Sequence, residues 1–563
     1  VNSEFDYIIV GAGSAGCVIA NRLSEDTTTR VLLLEAGPVD SNLYIQVPAG
    51  FPDVLNNTAL HWRYESEPEP ELGGRRMWQQ RGKVLGGSSS INAMAYVRGH
   101  PLDYDNWVAM GAHGWGYADV LPYFRKSESY AGGADTYRGQ GGPLGVQQGS
   151  NHSPLFEAFI RAGVEAGYGR TEDINGYRQE GFGFCDSTLA NSRRASTASA
   201  FLHPFRDRVN LEVRTESLVT RVVLEDGRAT GVETLCRGER QTLSANREVI
   251  LCGGAINSPQ LLMLSGIGPG ETLRNLGIEV IRDLPGVGDN LMDHLCFYMH
   301  WACTQPVSIQ PYMQGIRRWI AGLQWLTFKS GMASKTHGEA VAFMRSRAGV
   351  EHPDIQVDFL PAAYLPSYLA EMYGIKPPAH GFSSHIGQLR PESRGHVELR
   401  SSDPHDKPRI TFNYLSCDED WRVVRAALRL VREVHRQPAF DRYRGVELLP
   451  GEFITEDDQI DAFIRETAST NFHVSGTCRM GTDEASVVDP KCRVHGVDGL
   501  RVADASVMPQ LISGNPNAPT IMIGEKVVDH IRGELEPPAK VNFHGASDWR
   551  QSQRDSRPTR GLA

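Results

Sequence analysis

The chain opens on an apolar run, Phe5-Asp-Tyr-Ile-Ile-Val10, followed by Gly11-Ala-Gly13-Ser-Ala-Gly16. A helix-like stretch then runs to Ser24, and Val31-Leu-Leu-Leu34 leads into Glu35-Ala36-Gly37. Strand, glycine turn, helix and a second strand ending on an acid form the dinucleotide-binding βαβ pattern. Gly11 permits the turn, Gly13 lets a pyrophosphate approach the backbone, and Gly16 lets helix and strand pack closely. The free N–H groups and dipole of the helix N-terminus favour that anion. Glu35 is placed to accept hydrogen bonds from ribose hydroxyls and would repel a 2′-phosphate, which argues against NADP. The pattern fits NAD and FAD alike.

Further along, residues 117–128 read as a helix and 132–142 as a glycine-rich loop. Over 211–232 apolar and polar positions alternate, predicting two strands joined at Asp226-Gly227. Residues 247–252 predict a buried strand, then a glycine turn and a helix capped by Ser258 with Pro259 at its first position. Strands at 354–360 and 395–399, expected in one sheet, alternate with helices at 316–328 and 418–437. A strand and turn at 499–506 and a helix at 520–531 close the pattern.

The expected fold class is α/β. A discontinuous Rossmann-like nucleotide domain takes 1–155, 205–300 and 470–535, and a substrate domain on a mixed or antiparallel sheet takes 156–204 and 301–469. Residues 536–563, rich in Pro, Ser, Gln and Arg, predict a disordered or loosely packed tail.

Composition narrows the picture. A length of 563 residues exceeds one ordinary core. A net charge of −10 argues against nucleic acid and against an anionic membrane surface as main partners. The nine cysteines include no CxxC pair and read as reduced structural thiols, so no metal is expected. No signal-peptide pattern precedes the first strand and no apolar run is long enough to span a bilayer. The expected location is cytoplasmic, with peripheral attachment to a membrane left open.

The run Gly86-Gly87-Ser88-Ser89-Ser90 suits either a loop whose amides and hydroxyls face a polar ligand or a plain turn. Together with residues 11–35, 254–268, His473-Val-Ser-Gly-Thr-Cys-Arg-Met-Gly481 and Asn515-Pro-Asn517, the 81–99 segment resembles the glucose–methanol–choline (GMC) oxidoreductases. The likeness covers about residues 4–533. Residues 284–294, 393–397, 413–416 and 493–496 are most similar to the bacterial choline dehydrogenase-like branch.

The resemblance implies FAD and oxidation of a primary alcohol to an aldehyde, with hydride passing to flavin N5. It implies that electrons leave to a non-oxygen acceptor such as a quinone, with oxygen still open. Gly11, Gly13, Ser14, Ala15 and Gly16 would line the pyrophosphate, Glu35 and Ala36 the ribose, and Val219 the adenine. Gly86, Gly87, Ser88, Asn92, Ala93 and Met94 would run along the flavin, Trp62 and Val84 would also contact the cofactor, and Asp504 and Ala505 would stand at the ribityl and phosphate region. Some relatives attach FAD through a His at the position of Ile91, which has no nucleophile, so noncovalent binding is expected. His473 is the implied base, suited by the near-neutral pKa of imidazole. Asn517 would hold the alcohol oxygen, and an amide there leaves His473 as the only base. Asn515-Pro-Asn517 also reads as a turn opening the last helix.

Choline oxidisers hold a quaternary ammonium with aromatic faces and a carboxylate. Where the resemblance has Glu after Asp293-His294-Leu295, this chain has Cys296. Asp358 stands where the resemblance has His, and either compensates or faces solvent. Trp62, Tyr312 and Phe472 read as aromatic walls or as core. The favoured substrate is therefore another small or medium primary alcohol, with sorbose-like polyols and polyether alcohols open. The alternatives are choline itself, a peroxide-forming alcohol oxidase, a fatty-acid photodecarboxylase or a hydroxynitrile lyase.

Overall fold

The computed structural model describes residues 5–561 apart from 151, 237, 364 and 366. Phe5–Val10 and Val31–Leu34 are buried at nearly every position, as central strands of a sheet covered on both faces must be. They pair in parallel, Tyr7 opposite Val31 and Val10 opposite Leu34. Leu211–Arg214 extends the sheet on one side and Glu239–Leu251 on the other. The end of Glu239–Leu251 also pairs in parallel with Leu500–Val502. Its beginning pairs antiparallel with Arg228–Cys236, which turns back into Ser217–Glu225.

Residues 211–232 thus contribute to three strands where the alternation predicts two. The chain breaks at Glu216, whose φ is 54°, so Leu211–Arg214 joins the parallel sheet while the hairpin turns at Asp226-Gly227 as expected. A second correction concerns Ser258 and Pro259, which lie inside the helix Gly254–Leu264 and not at its start. Proline removes the N–H that would bond the Ala255 carbonyl. The Thr477 hydroxyl donates to that carbonyl instead, at 2.7 Å.

The second large sheet is antiparallel throughout. Its order is Arg444–Leu449, Leu295–Cys303, Gly381–Gln388, Ile355–Leu360, Ala340–Met344 and Gly181–Phe184, with Ser469–Thr470 also pairing to Leu295–Cys303. The helix Asp418–His435 buries Val424, Leu428 and Val431 beneath it. Three acids in that helix's first turn and Arg432 in its last complement the helix dipole. His396–Glu398 pairs only with Arg409–Thr411 in a separate ribbon, so the expected single sheet for 354–360 and 395–399 is corrected.

Residues 536–561 carry no helix or strand, yet they are tied down, against the expectation of a disordered tail; 562 and 563 lie outside the described residues. Backbone N–H groups of Ala539, His544, Ser556 and Thr559 donate to carbonyls of Ala118, Tyr177, Gly167 and Glu165. Arg554 and Arg560 pair with Glu433 and Asp441, and Phe543 packs against the nucleotide-side core. The segment lacks a core of its own and borrows that of the body, which composition cannot reveal.

Buried imidazoles and buried carboxyls act on the acid sensitivity of the fold in opposite senses. Loss of hydration pushes His100, His300 and His435 down to about 3 and His294 down to about 4. Their folded pKa values lie below the unfolded ~6.5. Unfolding therefore takes up protons, and their stabilisation is complete above about pH 6.5 and is lost as pH falls toward 4. Glu35 and Asp186, raised to about 7 and about 6 by burial, act in the opposite sense, as do Glu69, Glu180, Asp293, Asp354 and Asp504, which burial also raises. The histidine contribution is read at one position: His300→Gln should make the melting temperature fall less, or rise more, between about pH 7 and pH 5 than in the wild type, and an identical pH dependence in scanning calorimetry would contradict it.

Candidate active site

One cavity of about 610 Å³ lies between the two sheets, lined by the glycine turn on one side and by His473 on the other. Of the residues expected at a cofactor, Gly11, Gly13, Ser14, Ala15, Glu35, Ala36, Trp62, Gly87, Ser88, Asn92, Ala93, Met94, Val219, Asp504 and Ala505 line it. Gly16, Val84 and Gly86 do not, and act from behind the wall. A Cβ on Gly16 would lie 1.9 Å from the Gly11 carbonyl oxygen, so Gly16 serves the helix–strand contact. Val84 is fully buried in a small apolar cluster, and a Cβ on Gly86 would meet the Ser90 hydroxyl.

Gly87 holds φ 54°, and a Cβ there would stand 2.7 Å from the Gly13 Cα. Two glycine loops touch at this point, and only glycine fits. The loop continues to Met94, a non-glycine residue at φ 69°. Asn92 Oδ1 accepts from the Met94 N–H at 3.0 Å, and the buried Arg194 donates to Asn92 Oδ1 and to the Asn92 and Ser89 carbonyls. Glu35 accepts from the N–H groups of Ala12 (3.0 Å) and Gly37 (2.9 Å), which aims its carboxylate along the cavity wall.

His473 follows Phe472, whose φ of 62° is a strained conformation for a bulky residue, costing about 1–3 kcal/mol. Three hydrogen bonds hold that turn. The Phe472 N–H donates to Thr470 Oγ1, the Phe472 carbonyl accepts from Arg81, and the His473 N–H donates to Asp293 Oδ1. Asp293 is itself fixed by the hydroxyls of Tyr414 and Thr470. The ring therefore projects into the cavity on a pinned backbone.

The hydrogen bonds around the ring fix its tautomer. His294 Nε2 lies 2.8 Å from the Leu389 carbonyl, which can only accept, so that nitrogen carries the proton and Nδ1 of neutral His294 bears a lone pair. His473 Nδ1, 2.8 Å from His294 Nδ1, must then donate. His473 Nε2 is left as an acceptor and receives an N–H of Asn515 at 3.1 Å. The Asn515 oxygen accepts from Gln356, whose other N–H bonds Asp358 Oδ1 at 3.0 Å. Burial, followed by the neighbouring His294 and the Arg81 charge, pushes the His473 pKa well below its ordinary value. The free lone pair is available at neutral pH.

The amide beside the His473 ring is thus Asn515, which corrects the expectation for Asn517. The helix Asn517–Arg532 starts at Asn517 itself. Asn517 faces the nucleotide turn, its Oδ1 accepting from Ser14 Oγ at 2.7 Å. The sequence does not single out His294, Gln356 or Asn515 as site residues. Asn515 sits inside the Asn-Pro-Asn motif, and His294 and Gln356 stand beside Asp293 and Asp358 in motif stretches whose roles the sequence does not assign to them.

On the substrate side, Asp358 lines the cavity and does not simply face solvent. It lies 3.5 Å from His385, which stacks on Tyr298 with ring centroids 4.5 Å apart. Trp62 and Phe472 also line the cavity. Tyr312 does not; it lies on the surface ahead of the helix Gly315–Phe328. Cys296 is fully buried in the antiparallel sheet. The described residues contain no cluster of His, Cys, Asp or Glu able to hold a metal ion, and all nine cysteines are free thiols.

The GMC oxidoreductase family description matches this chain in two parts, residues 5–296 and residues 391–524. A protein of Brucella ovis named oxygen-dependent choline dehydrogenase is 49% identical over 543 residues, 96% of this chain and 97% of that protein. One of the same name from Sinorhizobium fredii is 50% identical over the same shares. Among solved structures, pyridoxine 4-oxidase from Mesorbium loti superposes with a TM-score of 0.84 at 32% identity, covering 94% of this chain and 99% of that one. With both motif-bearing sheets, the glycine loops and the pinned histidine in one arrangement, the chain belongs to the GMC oxidoreductase family.

Proposed function

We propose that this chain binds FAD noncovalently and oxidises a small primary alcohol to the aldehyde, passing the electrons to a non-oxygen acceptor. The residues present fit FAD. The two glycine loops leave a backbone cradle that a Cβ at Gly11 or Gly87 would fill, and Glu35 aims a carboxylate suited to ribose hydroxyls. Gly13, Ser14 and Ala15 would hold the pyrophosphate, Val219 the adenine end, Ser88 to Met94 the flavin side, and Asp504 and Ala505 the ribityl region. Ile91 offers no atom for covalent attachment. When bound, FAD supplies a two-electron acceptor at N5 for the hydride of the carbinol carbon.

The chain's own part is binding and proton handling. A substrate hydroxyl entering between Asn515 and His473 replaces their mutual hydrogen bond. Its oxygen accepts from Asn515 Nδ2–H, and its proton goes to His473 Nε2, the lone pair that the His294 contact leaves free. This observation carries the reading. An amide cannot take the proton, so the two roles stay separate. Choline is the second reading, favoured by the Asp358 carboxylate and by Tyr298, Trp62 and Phe472 along the same cavity, which together could hold a cation.

The test is anaerobic stopped-flow mixing of FAD-loaded protein with a panel of primary alcohols that includes choline, followed by admission of air or a quinone. Loss of the oxidised-flavin absorbance is expected in the dark, with fast reoxidation by the quinone. Asn515→Ala should slow that loss about tenfold or more through the missing hydrogen bond to the alcohol oxygen. Asn517→Ala should leave the reductive step near wild type and weaken FAD retention. Absence of bleaching by any alcohol, with CO₂ released from a fatty acid under blue light, would overturn the proposal.

A further inference from the structure

The helix Gly315–Phe328 is anchored by one face only. Ala321 and Trp325 pack with Ala333, Val47, Ala49 and Met332, and Trp325 Nε1 donates to the Ser192 carbonyl at 2.7 Å. On the outer face, Ile316, Trp319, Ile320, Leu323 and Leu326 are 73%, 73%, 58%, 62% and 49% exposed. Their spacing of three and four residues makes one continuous stripe. An exposed apolar patch of this kind marks an interaction site.

The charge around it is equally distinct. From His294 to Gly338 the chain contains no Asp or Glu, although 67 of its 563 residues are acidic and its net charge is −10. The same stretch carries Arg317, Arg318, Lys329 and Lys335. Arg318 pairs with Asp53, while Arg317 and Lys335 have no ion-pair partner among the described residues. A second copy on a two-fold axis would set these cations against each other with no acid on the helix to answer them. Anionic headgroups answer them directly, and a tryptophan beside arginines with aliphatic residues below is the make-up of a helix lying in a membrane interface.

We propose that Gly315–Phe328 docks the protein on an anionic lipid bilayer, its apolar stripe buried at the headgroup–acyl boundary and Arg317 and Lys335 on the phosphates. Fourteen residues are too few to span a bilayer, so the attachment is peripheral. The inference stands apart from the proposed chemistry, but it bears on access. Asp53 lies on the short helix Phe51–Leu55, and the rings of Phe51 and His337 meet at 5.5 Å. Phe51, Leu55, His337 and Gly338 all line the cavity, so docking would hold that wall close to the lipid. The overall charge, read above as opposing an anionic surface, is thus reversed locally.

The experiment is co-sedimentation of the holoenzyme with vesicles of phosphatidylcholine containing about a third phosphatidylglycerol, and with phosphatidylcholine alone. Binding is expected to the anionic vesicles, weakening with salt. Trp319→Glu/Leu323→Glu should lower the bound fraction about tenfold with FAD content unchanged. Quenching of wild-type tryptophan fluorescence by brominated lipid reads insertion without any substitution. Wild-type protein left in the supernatant and unquenched would overturn the proposal, as would a lipid-free dimer that the double variant splits.

Discussion

Replacing His473 by alanine is expected to slow anaerobic flavin reduction by alcohol about 10²–10⁴-fold, the usual worth of a positioned base. The yellow holoenzyme should persist, because His473 contributes no bond to the glycine loops that would hold FAD. The effect should be large because no second base adjoins the reactive lone pair. Asn515 offers only an amide at Nε2, and His294 has already committed its Nε2 proton to the Leu389 carbonyl. The pinned turn should survive the change, since Asp293, Thr470 and Arg81 bond to the backbone of 472–473 and not to the imidazole. Stopped-flow absorbance checks this, and a loss smaller than about tenfold would mean that another group takes the proton.

His294→Phe is expected to have the second largest effect, slowing flavin reduction about 10–10²-fold. The phenyl ring fills the buried volume but cannot accept from His473 Nδ1–H. His473 then loses the partner that fixes its tautomer, and wrong-tautomer imidazole is a poor base, as serine-protease triads show. The substitution also strips the Leu389 carbonyl of its donor, an unsatisfied buried group costing about 1–3 kcal/mol. A purely structural role would lower the melting temperature alone. A positioning role also changes the rate and the pH profile of reduction, because the free Nδ1–H of His473 no longer has a defined acceptor. His294→Asn, which can still accept, should recover part of the rate. Equal rates in wild type and His294→Phe would refute the tautomer argument.

These two effects show where reading the chain succeeds and where it stops. Phe5–Val10, the glycine turn and Val31–Leu34 could be read in order because each is specified within a few residues. Two-sided burial demands unbroken apolar runs, and the close approach of Gly16 to Gly11 demands glycine. His473 could be singled out because its motif is contiguous. The start of the helix Gly254–Leu264 is not legible locally because the hydroxyl that compensates Pro259 comes from Thr477, more than two hundred residues away. The order of residues 536–561 escapes local reading for the same reason: it comes from partners such as Glu433 and Asp441 on distant elements.

By itself, the sequence determined the nucleotide-binding unit, the family, the type of cofactor cradle and which histidine to put forward as the base. Those depend on backbone conformation and on motifs local to one stretch of chain. Only the tertiary structure decided which amide meets the base, which histidine fixes its tautomer, and that Asp358 faces the cavity. Asn515 and Asn517 differ by two positions, yet the helix start turns one toward His473 and the other toward Ser14. A hydrogen-bond chain running from Asp358 through Gln356, Asn515 and His473 to His294 is assembled from four separate segments. Direction in such a chain comes from what each neighbour can donate or accept, and neighbours exist only once the chain has folded.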